Sequence, residues 1–202
     1  MLALKAIVNT LLMAMLTPVN PPWQLVKEST DTAYAELDHN VVHSGAASAR
    51  LTVVKSTGHE ISLLQPFRGE SWRGKRVLLT GWVKAELAGG EAGLVVITNN
   101  SGRHNVYYPT DRHVTKQTGW QKLAVVCDVP TDTMLMSIGL WVRHGNGTLW
   151  LDDLAFGPAD AAAGTPPQPR RSPPLTRDEM NKLAKTLKDA SAAPFDLDFE
   201  QP

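Results

Sequence analysis

Two stretches of alternating sequence each set a tryptophan beside a cation. In 76–85, Val77, Leu79, Gly81 and Val83 fall on one side while Thr80, Trp82 and Lys84 fall on the other; in 137–143, Ile138, Leu140 and Val142 oppose Ser137, Trp141 and Arg143. A side-chain period of two is that of a β-strand with one buried face, so each tryptophan–cation pair belongs to an exposed or groove-lining face. A flat ring stacks on the apolar face of a ligand, and planar polar groups hold its polar edge. Trp82, Lys84, Trp141 and Arg143 are therefore expected, with Arg103, Asn105, Tyr107, Tyr108 and His144, on one polar sheet face or its rim. The chemistry of that set is recognition.

Nothing in the chain points to catalysis. The six histidines (His39, His43, His59, His104, His113, His144) lack the spacing of a helical metal motif, and no serine sits in a nucleophile elbow. No pair of acids is placed to face across a cleft as glycoside hydrolysis requires, and no glycine-rich loop follows a strand to cradle phosphate. A non-enzyme needing no cofactor is expected. The only cysteine, Cys127, rules out an internal disulfide and any multi-cysteine zinc site; it sits in the apolar run 123–127, where a buried small hydrophobe is the expectation. Lys+Arg and Asp+Glu both number 20, so no basic surplus draws a nucleic-acid backbone, and a neutral partner is the natural one.

The elements that must position these residues are short. From Trp23 to Phe156, runs rich in β-branched and aromatic residues are broken every ten or so positions by Gly, Asn, Asp or Pro, the pattern of a sandwich or barrel. Strands are expected at 24–27, 34–37, 49–54, 60–64, 76–85, 93–98, 105–108, 121–126, 136–143 and 148–156. His144-Gly145-Asn146-Gly147 reads as a hairpin turn that needs positive φ.

The ends differ in composition. Residues 1–16 are apolar except for Lys5, Asn9 and Thr10, and Thr17-Pro18 follows; 1–17 is expected to be a secretory signal, too short to span a membrane, with a docked amphipathic helix as the alternative. The body of the fold is expected at 18–157, an Ala/Pro-rich linker at 158–174 and an amphipathic helix at 175–190. Thr176 and Glu179 form a capping box, and Met180, Leu183, Ala184 and Leu187 make a narrow apolar stripe suited to packing on this chain or a protein partner. Residues 194–200 alternate like a strand.

In order and spacing, several pieces resemble the jelly-roll carbohydrate-binding modules of the galactose-binding-like superfamily. They are Pro22-Trp23, Leu37-Asp38, the run from Val42 to Leu51, Trp72-Arg73-Gly74-Lys75, Gly81-Trp82-Val83-Lys84, Thr118-Gly119-Trp120-Gln121-Lys122, Asp128-Val129-Pro130 and the run from Gly147 to Phe156. The resemblance covers about two-thirds of the chain. It implies an antiparallel all-β sandwich and a saccharide or other small neutral ligand. It also implies an exported, bacterial-type accessory module, core positions for Trp120 and Trp150, and a structural calcium. Asp153 and Glu200 would hold that calcium, with loop carbonyls of 44–48. Trp23 and Trp72 carry no assignment.

One departure stands out. The family opens with a strand of the type Asn-Leu-Asp-Phe-Glu ahead of its Pro-x-Trp element, and here Asp196-Leu197-Asp198-Phe199-Glu200 lies at the opposite end. Either the C-terminus supplies that strand, as in a circular permutation that would cover an open sheet edge, or it begins a second module. Leu197 and Phe199 facing solvent would exclude the first. A structural or protein-interaction sandwich without sugar binding is the functional alternative, and one open face bearing both Trp82 and Trp141 would argue against it.

Overall fold

Along the strand Arg76–Leu87, Val77, Leu79, Val83 and Ala85 are fully buried while Thr80, Trp82 and Lys84 are half-buried on the other side. The same period recurs in strand after strand, and burying such faces against each other contributes about 1.5–3 kcal/mol for each Val, Leu or Ile removed from water. A sandwich results. A computed structural model describes residues 18–19, 21–100, 104–110 and 112–200; the expected signal at 1–17 and Arg103 lie outside the described residues.

The strands are β1 (Gln24–Val26), β2 (Thr32–Asp38), β3 (Ser48–Lys55), β4 (Ile61–Arg68), β5 (Arg76–Leu87) and β6 (Glu91–Asn100). They continue with β7 (Asn105–Pro109), β8 (Gln117–Asp128), β9 (Thr133–Arg143), β10 (Gly147–Pro158) and β11 (Arg170–Arg171), and one helix, α1 (Arg177–Asp189), follows. A six-stranded sheet runs β1-β4-β9-β6-β7-β11 and a five-stranded sheet β2-β3-β10-β5-β8, with antiparallel pairing throughout. The fold is the expected antiparallel jelly-roll sandwich. Its core lies between Leu51, Leu79, Leu149 and Leu151 of one sheet and Ile61, Leu63, Leu94, Ile138 and Leu140 of the other.

The segment after β10 departs from an extended linker. It makes a 3-10 turn at Ala161–Ala163 and then adds β11 to the free edge of β7, with Arg170 opposite Tyr107 and Arg171 opposite Val106. Ser172 secures the junction: its amide donates to Asn105 O (2.9 Å), and its hydroxyl accepts from the Asn105 amide (3.0 Å). α1 carries the capping box, and Met180, Leu183 and Leu187 are half-buried.

Residues 194–200 are not a strand. Asp196 and Phe199 have φ of 50° and 58°, which breaks the extended backbone, and the segment enters the core as an irregular plug. Phe199 is 1% exposed and meets the Trp23 ring at 5.1 Å, Leu197 packs on the core, and Leu154 N donates to Leu197 O (3.0 Å). Gln65, fully buried, clamps Phe195 from both sides of its amide, giving Nε2–H to the Phe195 carbonyl and accepting the Phe195 N–H (both 2.8 Å).

Candidate functional site

Each sheet turns a row of side chains away from the core, and each row contains one buried tryptophan. On the five-stranded sheet it is Trp150, flanked in β10 by the core residues Leu149 and Leu151 and thus turned outward by alternation. Its Nε1 donates to Asp38 Oδ2 (2.9 Å), and Lys84 Nζ lies 4.5 Å from its ring centre. Arg50 closes the patch, donating to Asp38 Oδ2 (3.2 Å) and, through Nε, to Glu36 Oε1 (2.6 Å). Burial pushes the Asp38 carboxyl up. The bonds from Trp150 and from the Asn40 and Val41 amides, with the Arg50 charge, outweigh this and hold it below its usual range.

Farther along the same face, His43 stacks flat on Trp82, ring centres 3.9 Å apart at 18°, with Trp120 edge-on to His43 at 5.6 Å. A bulge in β10 between Asp152 and Ala155, where Asp153 takes φ 47°, aims the neighbouring carboxylates at the 43–48 turn. Asp152 Oδ2 accepts the amides of His43 (2.7 Å) and Ser44 (3.3 Å), and burial pushes its carboxyl up. Asp153 accepts from Ser44 Oγ (2.7 Å) and from His43 Nδ1 (2.6 Å), while Glu200 Oε1 accepts the Ala46 and Ala47 amides (2.7 and 3.3 Å). Gly45 is favoured here by its φ of 65°, a left-handed conformation, and its missing side chain leaves room for the Glu200 carboxylate. Asp153 and Glu200 thus meet one turn, which presents them with N–H and O–H donors. Among the described residues no three His, Cys, Asp or Glu side chains gather as a metal group.

On the six-stranded sheet the buried tryptophan is Trp141, 1% exposed, its Nε1 donating to Leu94 O (3.1 Å). It lies across β6 where Gly93 leaves room, since a Cβ there would stand 3.3 Å from Nε1. The Arg143 guanidinium covers its ring at 4.5 Å, and His113 meets it edge-on at 4.9 Å. Arg143 faces Glu60 (3.7 Å) and Glu91 (3.6 Å), and Glu91 also takes His113 Nδ1 (2.8 Å). Val95, Ile97 and Trp141 form an apolar cluster on this outer face, with Leu64 and Tyr107 packed against it. Above it opens a cleft of ≈ 300 Å³, floored by Trp141, Tyr107 and Val95 and bounded by Glu60, Arg143, Pro109, Arg170 and Arg171.

No family model matches the chain. An uncharacterized HTH-type transcriptional regulator, YbfP of Bacillus subtilis (strain 168), is 28% identical over 128 residues, or 61% of this chain and 43% of its own, so the chain spans less than half of that relative. Among solved structures, the CBM22-1 xylan-binding domain from Paenibacillus barcinonensis Xyn10C aligns at TM-score 0.56 and 13% identity, covering 71% of this chain and 90% of that one. The C-terminal family 22 carbohydrate-binding module of Clostridium thermocellum Xyn10B aligns at 0.57 and 12%, covering 69% and 86%. The fold is that of a carbohydrate-binding module. At such identities the likeness shows the architecture alone.

Within this module fold the expected site residues do not share one face. Trp82 and Lys84 stand on the five-stranded sheet, while Asn105, Tyr107, Trp141 and Arg143 stand on the six-stranded one, because β5 and β9 belong to different sheets and their outward faces point apart. Tyr108 alternates with Tyr107 and points into the core, its hydroxyl donating to Asp128 O (3.2 Å). His144 sits exposed in the β9–β10 turn at φ 56°, beside Gly58 and away from the cleft. Trp150 is buried as expected, but on the outer side of the five-stranded sheet, where Trp120, also expected in the core, is half-buried; Trp23 packs between the sheets, and Trp72 packs against the core, edge-on to Phe156 at 4.8 Å.

Sequence reasoning missed Glu60, Val95, Arg170 and Arg171. Pro169-Arg170-Arg171 is visible as a short basic stretch, but nothing local says that it returns to pair with β7. The flanking Leu149 and Leu151, by contrast, do signal that Trp150 faces outward.

Proposed function

We propose that this chain is a non-catalytic saccharide-binding module, exported from the cell, whose ligand lies in the cleft over Tyr107 on the six-stranded sheet. One observation carries this: a cleft of ≈ 300 Å³ whose floor is aromatic and apolar and whose wall is the Glu60–Arg143 pair. Aromatic floors stack the C–H face of a sugar ring, and a carboxylate opposite a guanidinium accepts from and donates to its hydroxyls. Tyr107 is the half-exposed ring available for stacking; Trp141 supports the guanidinium from beneath. The likeness to xylan-binding modules supports a saccharide as the ligand class, and the signal-like opening segment supports export.

A structural or interaction sandwich is the second reading, favoured by the sealing of Trp141 beneath Arg143 and by the half-exposed apolar stripe of α1, which suits a protein partner. Calorimetry against a panel of plant, fungal and bacterial oligosaccharides separates the two. Heat with at least one sugar, abolished by Tyr107→Ala, is expected; no heat with any sugar overturns the saccharide reading.

A further inference from the structure

The rim of the cleft is built by a segment remote from it in sequence. β11 brings Arg170 and Arg171 to the edge strand β7, and Ser172, bonded to both backbone groups of Asn105 and through its carbonyl to His104 Nδ1 (3.0 Å), fixes the segment there. Both arginines are exposed, and among the described residues neither is ion-paired. Inside the cleft Glu60 and Glu91 face Arg143, and Glu91 also takes His113. Among the described residues, then, the two rim arginines add positive charge without an ion-pair partner. Arg170 and Pro109 also line a second cavity of ≈ 390 Å³, between the proline-rich segment and Thr110 and His113, so open space borders Arg170 on two sides.

A guanidinium is a planar fork of donors that matches an acid group in two-pronged fashion, and one on a main-chain-anchored strand is partly ordered before the ligand arrives. We infer that the ligand of this cleft is an acidic saccharide, a uronic-acid-containing oligomer whose carboxylates are taken by Arg170, in register with Tyr107, with Arg171 adding charge from the sheet edge. The inference rests on the saccharide reading above and specifies its ligand class. It stands against the neutral overall charge of the chain, which says nothing about a local rim.

The test is a matched pair of ligands, an oligouronate and the same oligomer with its carboxyls reduced to alcohols, titrated into the full chain by calorimetry at low and high salt. The oligouronate is expected to bind about tenfold more tightly than the reduced oligomer at low salt, as two partly exposed charge pairs would give, and to lose most of that margin at high salt. In R170Q/R171Q, checked for an unchanged melting temperature, the ratio of the two affinities falls to near one, while R170K/R171K keeps the salt dependence. Equal binding of both oligomers by the unmodified chain overturns the acidic specificity and leaves the saccharide reading intact. Binding of neither overturns both. A preference that persists in R170Q/R171Q moves the recognition away from β11 and overturns this assignment.

Discussion

The two outward faces of this sandwich are built from the same parts and differ in how their polar groups are partnered. Each holds a buried tryptophan whose Nε1 is bonded, and each sets a cation 4.5 Å from that ring, Lys84 over Trp150 and Arg143 over Trp141. On the five-stranded face the indole gives its proton to a carboxylate already held by Arg50, and the neighbouring Trp82 ring is covered by His43, so the polar groups satisfy one another. On the six-stranded face the indole bonds a backbone carbonyl, Arg143 stands 3.6–3.7 Å from its acids, its Nε lacks a hydrogen bond, and a half-exposed tyrosine lies alongside. A residue census does not distinguish the faces. What distinguishes them is whether the polar groups are spent internally or left with capacity for something outside.

The contrast is most severely tested by Trp150→Ala. It removes a buried indole and orphans Asp38, so a loss of about 3–5 kcal/mol in chemical denaturation is expected, with sugar binding retained by whatever fraction stays folded. Tyr107→Ala should do the reverse: roughly a tenfold or greater loss of affinity by calorimetry, as removal of a stacking ring from a site centre typically gives, with the melting temperature within a few degrees. If both variants lose stability alike, the assignment of one face to structure and one to binding fails.

Acid sharpens the same contrast. Asp38 is held below its ordinary range, so the stability it provides is fully present above the ordinary carboxylate value near pH 4 and drains as pH falls through and below it. Asp152, pushed up by burial, acts with the opposite sign, its protonation relieving the folded state. Urea midpoints of Asp38→Asn should therefore be lower than those of the parent at pH 7, with the gap narrowing as pH falls below the ordinary carboxylate value. A constant difference between the two curves would show that Asp38 is not the titrating group.

Calcium remains a proposal for the turn that receives Asp153 and Glu200. Melting in millimolar calcium against a chelator decides it: a rise of several degrees would mean the carboxylates swap their amide donors for a cation, and superimposed curves would remove the metal. The smallest expected effect is that of Trp82→Ala on sugar affinity, which should be unchanged because the ring stands on the sheet facing away from the cleft.

Much of the fold was legible because alternation is a local signal. The inward and outward residues of β5 and β9 follow from the sequence alone, and Thr176 and Glu179 announce the start of α1. Which sheet each strand joins is a property of long-range pairing, and this placed Trp82 and Trp141 back to back although each was correctly read as outward-facing. Motif position marks the tryptophans of β8 and β10 as structural, and Trp150 is buried accordingly, while the alternation of their neighbours turns both outward. Burial of Leu197 and Phe199 was one of two outcomes the sequence allowed; the left-handed residues that keep their segment from being a strand were not legible. Glu60 and the β11 arginines escaped because no local pattern marks a residue as the rim of a cleft.

The plug at 194–200 also orders events in time. Its contact from Glu200 to Ala46 closes a loop of 154 residues, and such closures come late, after the more local strand pairs. During synthesis the strands from Gln24 to Pro158 emerge well before Phe199, so the sheets can pair while β11, α1 and the plug are still to come. The cationic rim of the cleft is thus made after its floor, and a nascent chain stalled between the two would carry the aromatic floor without its arginines.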